Sequence, residues 1–369
     1  MRLFRHMSSV RRSAVTVGLW LVLTSGISVA VMDPAESVVK KPVVKLMSLV
    51  ANGDPDVHEL DEDGIPALRF NRLGSDTFDN PVYIGIYGLW YYSEWLGTGE
   101  NDNFLDYYTI FPSQATTSEG YATFFLNTAD WYVQNIEVKE KGVRYGVWSY
   151  PFEWPIYELE PGWVSGMAQG LAMQVLVRAW MLTRDSTYLE TAYLAMAALE
   201  VPVEQGGALI RDGADRYWYE EYASPDATLS RVLNGHAHAL ISLNEFAEVT
   251  GDSTAARLFS QGVEALAADI EVYDLGWWTA YDALGLLANA KYHAINYELV
   301  KELYAITGRA ELGVYSRWEQ YSPGYFKREF VRQKPNYIDV ATVVVVFASV
   351  GFALAIGLFV VSRLVGRTA

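Results

Sequence analysis

Three helix-stop signals recur along the middle of the chain: Thr183-Arg184-Asp185, Thr250-Gly251-Asp252 and Thr307-Gly308-Arg309. Each closes one amphipathic stretch and opens the next. Gly just past the last periodic residue caps a helix C-terminus in the left-handed conformation, and Asp-Ser caps the N-terminus that follows. Leu96-Gly97-Thr98-Gly99 does much the same earlier. The stops lie 67 and 57 residues apart, room for two helices and two connections. Amphipathic stretches near 83–96, 119–134, 164–183, 187–201, 231–249, 254–270 and 293–306 predict the helices themselves. A helix–turn–helix recurring at this size predicts an all-α fold, an incomplete α/α toroid of helical hairpins. In such a ring the loops of one rim and the inner helices form the cleft. Residues 33–80 lack a helical period; Asp54-Pro55-Asp56 and Asp61-Glu62-Asp63-Gly64 read as turns. They predict an extended lead-in with one short strand pair.

The two ends differ from this middle. Ser13 to Met32 is uncharged, preceded by Arg2, Arg5, Arg11 and Arg12 and followed by Asp33. Twenty helical residues span about 30 Å, the thickness of a bilayer core. The segment reads equally as a membrane anchor and as a signal peptide with Ser28-Val29-Ala30 as cleavage site. Val340 to Ser362 is a second uncharged run, with Arg363 and Arg367 beyond it, and predicts a C-terminal transmembrane helix. The basic flanks face the cytoplasm by the positive-inside rule, which puts residues 33–337 outside. The expected division is therefore 1–32 anchor or signal, 33–80 lead-in, 81–325 toroid, 326–339 linker and 340–362 membrane helix. The outer region carries 22 basic and 43 acidic side chains, a balance of −21, and the whole chain has 19 Arg against 9 Lys. That suits a high-salt exterior or an ordinary acidic extracellular domain, and it excludes a nucleic-acid partner. The absence of cysteine excludes disulfides, thiolate metal sites and a Cys nucleophile.

Aromatic residues make up 14% of the chain, with 25 Tyr and 12 Trp, a composition suited to stacking on sugar rings. Five segments concentrate the polar and aromatic signal. Leu159 to Gly170, which includes Trp163 and Gln169, opens a helix whose small residues permit close backbone approach. Trp218-Tyr219-Glu220-Glu221-Tyr222 sets two carboxylates between tyrosines. On an extended segment Glu221 shares a face with Tyr219 and Glu220 with Tyr222. Val232-Leu233-Asn234-Gly235 opens another helix, and His236 and His238 point to different sides of it. Trp278 to Asp282 and Lys291 to Asn296 complete the set, with Tyr281 and Tyr292 eleven residues apart. No HExxH spacing, phosphate loop or GxSxG elbow is present, so neither a catalytic metal nor a cofactor is expected.

Taken together and in this order, the segments resemble the C-terminal helical domain of the D-glucuronyl C5-epimerase family. The resemblance is carried by Leu159–Gly170, Trp218–Tyr222, Val232–Gly235, Tyr281-Asp282 and Tyr292-His293, with Asn80–Leu89 and Phe124–Trp131 in support. It covers roughly residues 80–310. It implies an incomplete α/α toroid that inverts C5 of D-glucuronate to L-iduronate in heparosan-type chains, without a metal. By position it implies Tyr281, Tyr292 and Glu221 as catalytic residues. It implies substrate binding by Tyr222, Glu220, Trp218, Asn234, His293, Gln169 and Trp163. Two departures stand out. Tyr281-Asp282 continues with Ala283-Leu284-Gly285, so the family's arginine is missing, and Asn296 replaces its second histidine. Arg231 and Lys291 are the candidate replacement cations.

The expected function is thus an outward-facing, membrane-bound uronate C5-epimerase. Its expected partners are a uronic-acid-containing glycan or polysaccharide and the membrane through the terminal helices. A homodimer is compatible with the sequence. A polysaccharide lyase or glycoside hydrolase on the same toroid is one alternative, with Glu220, Glu221 and Asp282 as its only candidate carboxylates. A non-catalytic, glycan-binding envelope protein is the other.

Overall fold

A computed structural model of the 369-residue chain describes residues 9–50, 57–69, 76–98, 117–213, 215–330 and 337–365. In chain order, α1 (Ser9–Val50) precedes a three-stranded antiparallel sheet of β1 (Val57–Leu60), β2 (Pro66–Arg69) and β3 (Thr77–Asp79). Helices α2 (Pro81–Leu96) and α3 (Ser118–Asn135) follow, then the hairpin β4 (Glu137–Glu140) and β5 (Arg144–Val147). Next come α4 (Gly166–Thr183) and α5 (Ser186–Ala198), the hairpin β6 (Leu209–Arg211) and β7 (Tyr217–Tyr219), and α6 (Leu233–Thr250) and α7 (Ser253–Asp269). The chain ends with α8 (Ala290–Thr307), the short α9 (Tyr315–Trp318) and α10 (Tyr325–Phe330), and α11 (Tyr337–Val365). It divides into two units, residues 56–322 and residues 1–55 with 323–369.

In the larger unit the helices end where the stop signals put them. Gly97, Arg184, Gly251 and Gly308 take left-handed conformations as C-caps. Asp185 and Asp252 cap α5 and α7 by accepting hydrogen bonds from Thr187 N and Ala255 N. Consecutive helices pack as hairpins, α2 with α3, α4 with α5 and α6 with α7. The first helix of each hairpin packs on the first of the next, so that α2, α4, α6 and α8 form one inner row. This is the hairpin arrangement of an incomplete α/α toroid. Gly170 makes the α4–α6 contact close: a Cβ there would lie 3.0 Å from Ala239 Cα. The core runs through all these helices and is rich in aromatic side chains, with Trp148, Trp218, Trp318, Tyr132 and Tyr273 fully buried.

The lead-in differs from expectation. Residues 33–50 are helical, continuing α1 through Pro34 and Pro42. The reason is packing: Met32, with Ala35 and Val39, forms an apolar cluster with Tyr325 and Val346. Residues 57–79 form three strands rather than one pair. The turn at Asp61–Gly64 is present, with Asp61 Oδ1 accepting from the amides of Asp63 and Ile65; Asp54–Asp56 lies outside the described residues. Within the smaller unit α1 packs along α11. Val15–Glu36 and Ile338–Arg363 are long and apolar enough to cross a membrane.

Candidate functional site

The N-terminal ends of the four inner helices meet at one pocket of about 120 Å³. Asn80, Val82 and Tyr83 reach it from the start of α2, Ser165 and Met167 from α4, Asn234 from α6 and Tyr292 from α8. Three of these ends are capped by side chains at the pocket's edge. Asn80 Oδ1 accepts from Val82 N and Tyr83 N, Ser165 Oγ from Ala168 N and Asn289 Oδ1 from Tyr292 N. Each helix start carries a partial positive charge of about half an elementary unit. Among the described residues, those lining the pocket include no Lys, Arg or His.

The two adjacent glutamates beyond β7 part company, but not by strand alternation. The chain bends at Glu221 and Tyr222, so these consecutive residues both line the pocket while Tyr219 is buried in the core. The expected sharing of a face by Glu221 with Tyr219 and by Glu220 with Tyr222 does not hold. Glu220 turns inward. Its carboxylate accepts Ser230 Oγ (2.8 Å), Arg231 N (2.9 Å) and Tyr222 N (3.4 Å). It thereby holds Arg231 in a left-handed conformation at φ 50°. Glu221 lines the pocket and is 8% exposed, with no hydrogen-bond partner for Oε2. Burial pushes its carboxyl up to about 8; the Glu220 charge adds to the rise, while Tyr222 and the Gly235 amide oppose it. Gly235 makes room for this carboxylate, since a Cβ there would come 2.5 Å from Oε2.

Three tyrosines gather around Glu221. Tyr222 and Tyr281 share a hydroxyl–hydroxyl hydrogen bond of 3.3 Å. The Tyr281 and Tyr292 rings meet edge to face at 4.7 Å. Burial, then the Glu221 charge, holds the Tyr222 and Tyr281 phenols well above their usual range, so both stay protonated. A wall of aromatic rings faces them. Tyr150 stacks on Trp163 at 3.7 Å, and Trp154, Tyr157 and Trp163 all pack on Tyr222.

Of the residues singled out in the sequence, Glu221, Tyr222, Asn234, Tyr292 and Trp163 line the pocket, and Tyr281 stands behind Tyr222 and Tyr292. The others lie elsewhere. Trp218 is fully buried between His236 and Tyr273. Gln169 Nε2 is taken up by Gly146 O and Ala195 O. The Arg231 guanidinium pairs with Asp212 and Asp269. His293 stacks on Trp278 and bonds Thr279 Oγ1. Lys291 Nζ lies over the Tyr292 ring, 5.4 Å from its centre. Glu220, as described, clamps its own loop. His236 is kept neutral by burial, its pKa lowered to about 3, and it serves the core through Tyr219 N and Gly262 O.

The sequence reading passed over Tyr83, Tyr150, Phe152 and Trp154, which also line the pocket. The signal was available: Tyr150, Phe152 and Trp154 alternate along a Pro-containing segment, as rings lining one face do.

Residues 141–320 match the family described as D-glucuronyl C5-epimerase C-terminus. An uncharacterized protein of Methanocaldococcus jannaschii is 35% identical over 201 residues, 53% of this chain and 64% of that protein. The D-glucuronyl C5-epimerase of Caenorhabditis elegans is 34% identical over 230 residues, 56% of this chain and 36% of that enzyme. The chain thus spans less than two thirds of either relative. Among solved structures, the GH76 α-mannanase of Bacteroides thetaiotaomicron is 11% identical, with a TM-score of 0.45 over 92% of this chain and 86% of that one.

Proposed function

Taking residues 141–320 as a member of the D-glucuronyl C5-epimerase C-terminal family, we propose that the pocket inverts C5 of a uronic-acid residue in a glycan or polysaccharide. The observation that carries this reading is the pairing of Glu221 and Tyr292 in one pocket, with Oε2 of Glu221 buried and unpartnered. The hydrogen on C5 lies beside the carboxyl carbon, so its removal builds enolate-like charge. A carboxylate whose burial has raised its proton affinity is a better base for that step than a solvated one. Inversion requires that the proton return from the opposite face, and a phenol such as Tyr292 is a suitable donor. Tyr281 and Tyr222 set the donor and the base through their shared hydrogen bond. The amide of Asn234 and the helix starts supply donors for the developing oxyanion. The aromatic wall stacks on the sugar.

The test is proton exchange at C5 in D₂O, followed by NMR with candidate polyuronates. Wild type should incorporate deuterium and change ring configuration. Glu221→Gln and Tyr292→Phe should each lower the rate by about 10² to 10⁴. An unsaturated product absorbing in the ultraviolet would make the enzyme a lyase and overturn the epimerase reading. A two-carboxylate glycosidase is less well supported, because Glu220 and Asp282 are both engaged in hydrogen bonds away from the pocket lining.

We also propose that α1 and α11 cross a membrane together as a retained hairpin with their basic ends in the cytoplasm. Large apolar side chains such as Val22, Phe352 and Phe359 are exposed along both helices. Gly351 lets the Trp20 ring approach. At the ends of the spans away from the basic flanks, Asp33 accepts Tyr325 N, Arg328 pairs with Glu36, and Lys40 with Asp339 at 3.7 Å. These contacts favour an uncleaved α1. The chain has no cysteine, so Trp20→Cys with Gly351→Cys should cross-link within one chain in membranes. Release of the first 30 residues during export would refute it.

A further inference from the structure

Asp282 is a buried carboxylate that the proposed chemistry leaves unused. It is 1% exposed, and no cation pairs with it among the described residues. Burying an unpaired charge is expensive unless hydrogen bonds replace the lost water. Asp282 has two. Oδ1 accepts Leu286 N at 2.9 Å, and Oδ2 accepts the Tyr157 hydroxyl at 2.7 Å. Burial and then the Asp282 charge push the Tyr157 phenol up, so it remains a donor.

The two partners belong to different parts of the site. Leu286 closes the turn that carries Tyr281: Tyr281 N donates to Leu286 O, and Tyr281 O accepts Leu233 N from the start of α6. Tyr157 belongs to the aromatic segment. Its ring packs 4.8 Å from that of Tyr222, whose hydroxyl bonds Tyr281. A loop from Tyr281 through Asp282, Tyr157 and Tyr222 back to Tyr281 is therefore closed by contacts between three separate segments.

We infer that the Asp282–Tyr157 hydrogen bond is a clip fastening the aromatic wall to the Tyr281 turn, and that Asp282 and Tyr157 are positioning residues for the proton transfer at C5. This inference rests on the epimerase reading for its kinetic consequence. Without the clip, the Tyr222 ring loses its backing and the Tyr222–Tyr281 pair loses its alignment. Glu221 then also loses the Tyr222 interaction that opposes the rise of its pKa.

Tyr157→Phe removes one hydroxyl and keeps the ring; Asp282→Asn keeps the shape and removes the charge. Each should lower kcat about tenfold or more, as a small misplacement of a reacting group does, while KM for the glycan moves by less than about threefold. The limb of the rate profile set by Glu221 should move to higher pH in both. In the double variant the loss should equal that of the worse single variant, because one clip breaks only once. Independent, multiplying losses would overturn the clip. So would unchanged kcat and pH profile with only a lower Tm, which a purely structural bond would give. Amide hydrogen exchange provides a readout free of activity: Ala283 and Leu286 should exchange faster in Tyr157→Phe. If wild type performs no C5 exchange, the epimerase reading fails while this measurement still decides the clip.

Discussion

Gly235→Ala adds one methyl group at the start of α6. The built Cβ comes 2.5 Å from Glu221 Oε2, 2.6 Å from its Cβ and 2.9 Å from its Cγ. Ordinary carbon contacts lie near 3.5 to 4.0 Å, so the Glu221 side chain must retreat by about 1 Å. Overpacking of this kind costs about 1 to 3 kcal/mol. Ala gains about 1 kcal/mol over Gly in a helix, so the net loss is about 2 kcal/mol at most. For a unit of this size that lowers Tm by less than about 8 °C. The effect on rate is larger, because a 1 Å displacement of a reacting group costs about 10²-fold. Gly170→Ala is the control. It is also crowded, at 2.9 Å from Ser242 Oγ and 3.0 Å from Ala239 Cα, but it lies outside the pocket lining and should lose stability while keeping its rate. C5–deuterium exchange and thermal unfolding of both variants decide the matter. Wild-type exchange in folded Gly235→Ala would remove Glu221 from the proton transfer.

The raised Glu221 carboxyl has two consequences with pH. In the direction in which Glu221 takes the proton, the rate should rise as pH passes about 8; in the reverse direction it should fall, and Glu221→Gln should abolish both limbs. A carboxyl raised on folding binds its proton more tightly in the folded state, so its contribution to stability is complete below about 4.5 and is lost as pH climbs to about 8. Tm should therefore drop more steeply from pH 5 to 8.5 in wild type than in Glu221→Gln. Residues 33–337 carry a balance of −21, which repels a polyuronate over a Debye length of about 10 Å at 0.1 M salt. Affinity for such a polymer should tighten as salt rises towards 1 M, and a steady weakening would show that a basic groove governs binding.

Helix boundaries were legible because caps act locally. Asp185, Asp252 and the left-handed residues at 184, 251 and 308 fix helix ends whatever packs around them. The continuation of α1 past Pro34 was not legible, because it depends on an apolar cluster with Tyr325 and Val346, almost 300 residues away. The split between Glu220 and Glu221 was not legible from strand alternation, because the bend at Glu221 and Tyr222 brings those two residues to the pocket, and Glu220 is kept from it by Ser230 and Arg231 folding back over its carboxylate. Arg231 illustrates the limit of residue type as a guide. As a cation near the site it suggested substrate binding, yet Asp212 and Asp269 had already claimed it. Spacing cannot show that competition.

The missing arginine of the family pattern acquires a physical answer in the same geometry. On the proposed function the pocket takes an anionic sugar, which needs positive potential, and its lining among the described residues includes no cationic side chain. The backbone supplies that potential: the starts of α2, α4, α6 and α8 converge on the pocket, each with the partial positive charge of a helix N-terminus. Asn234, 1% exposed and with an unpartnered Nδ2, adds a donor that does not titrate. A guanidinium beside Glu221 would favour its ionised form and lower its proton affinity, making it a weaker base. Neutral donors can hold the substrate carboxylate without that cost. The Ala283-Leu284-Gly285 sequence after Tyr281-Asp282 is thus compatible with binding a uronate and with keeping the neighbouring carboxyl basic.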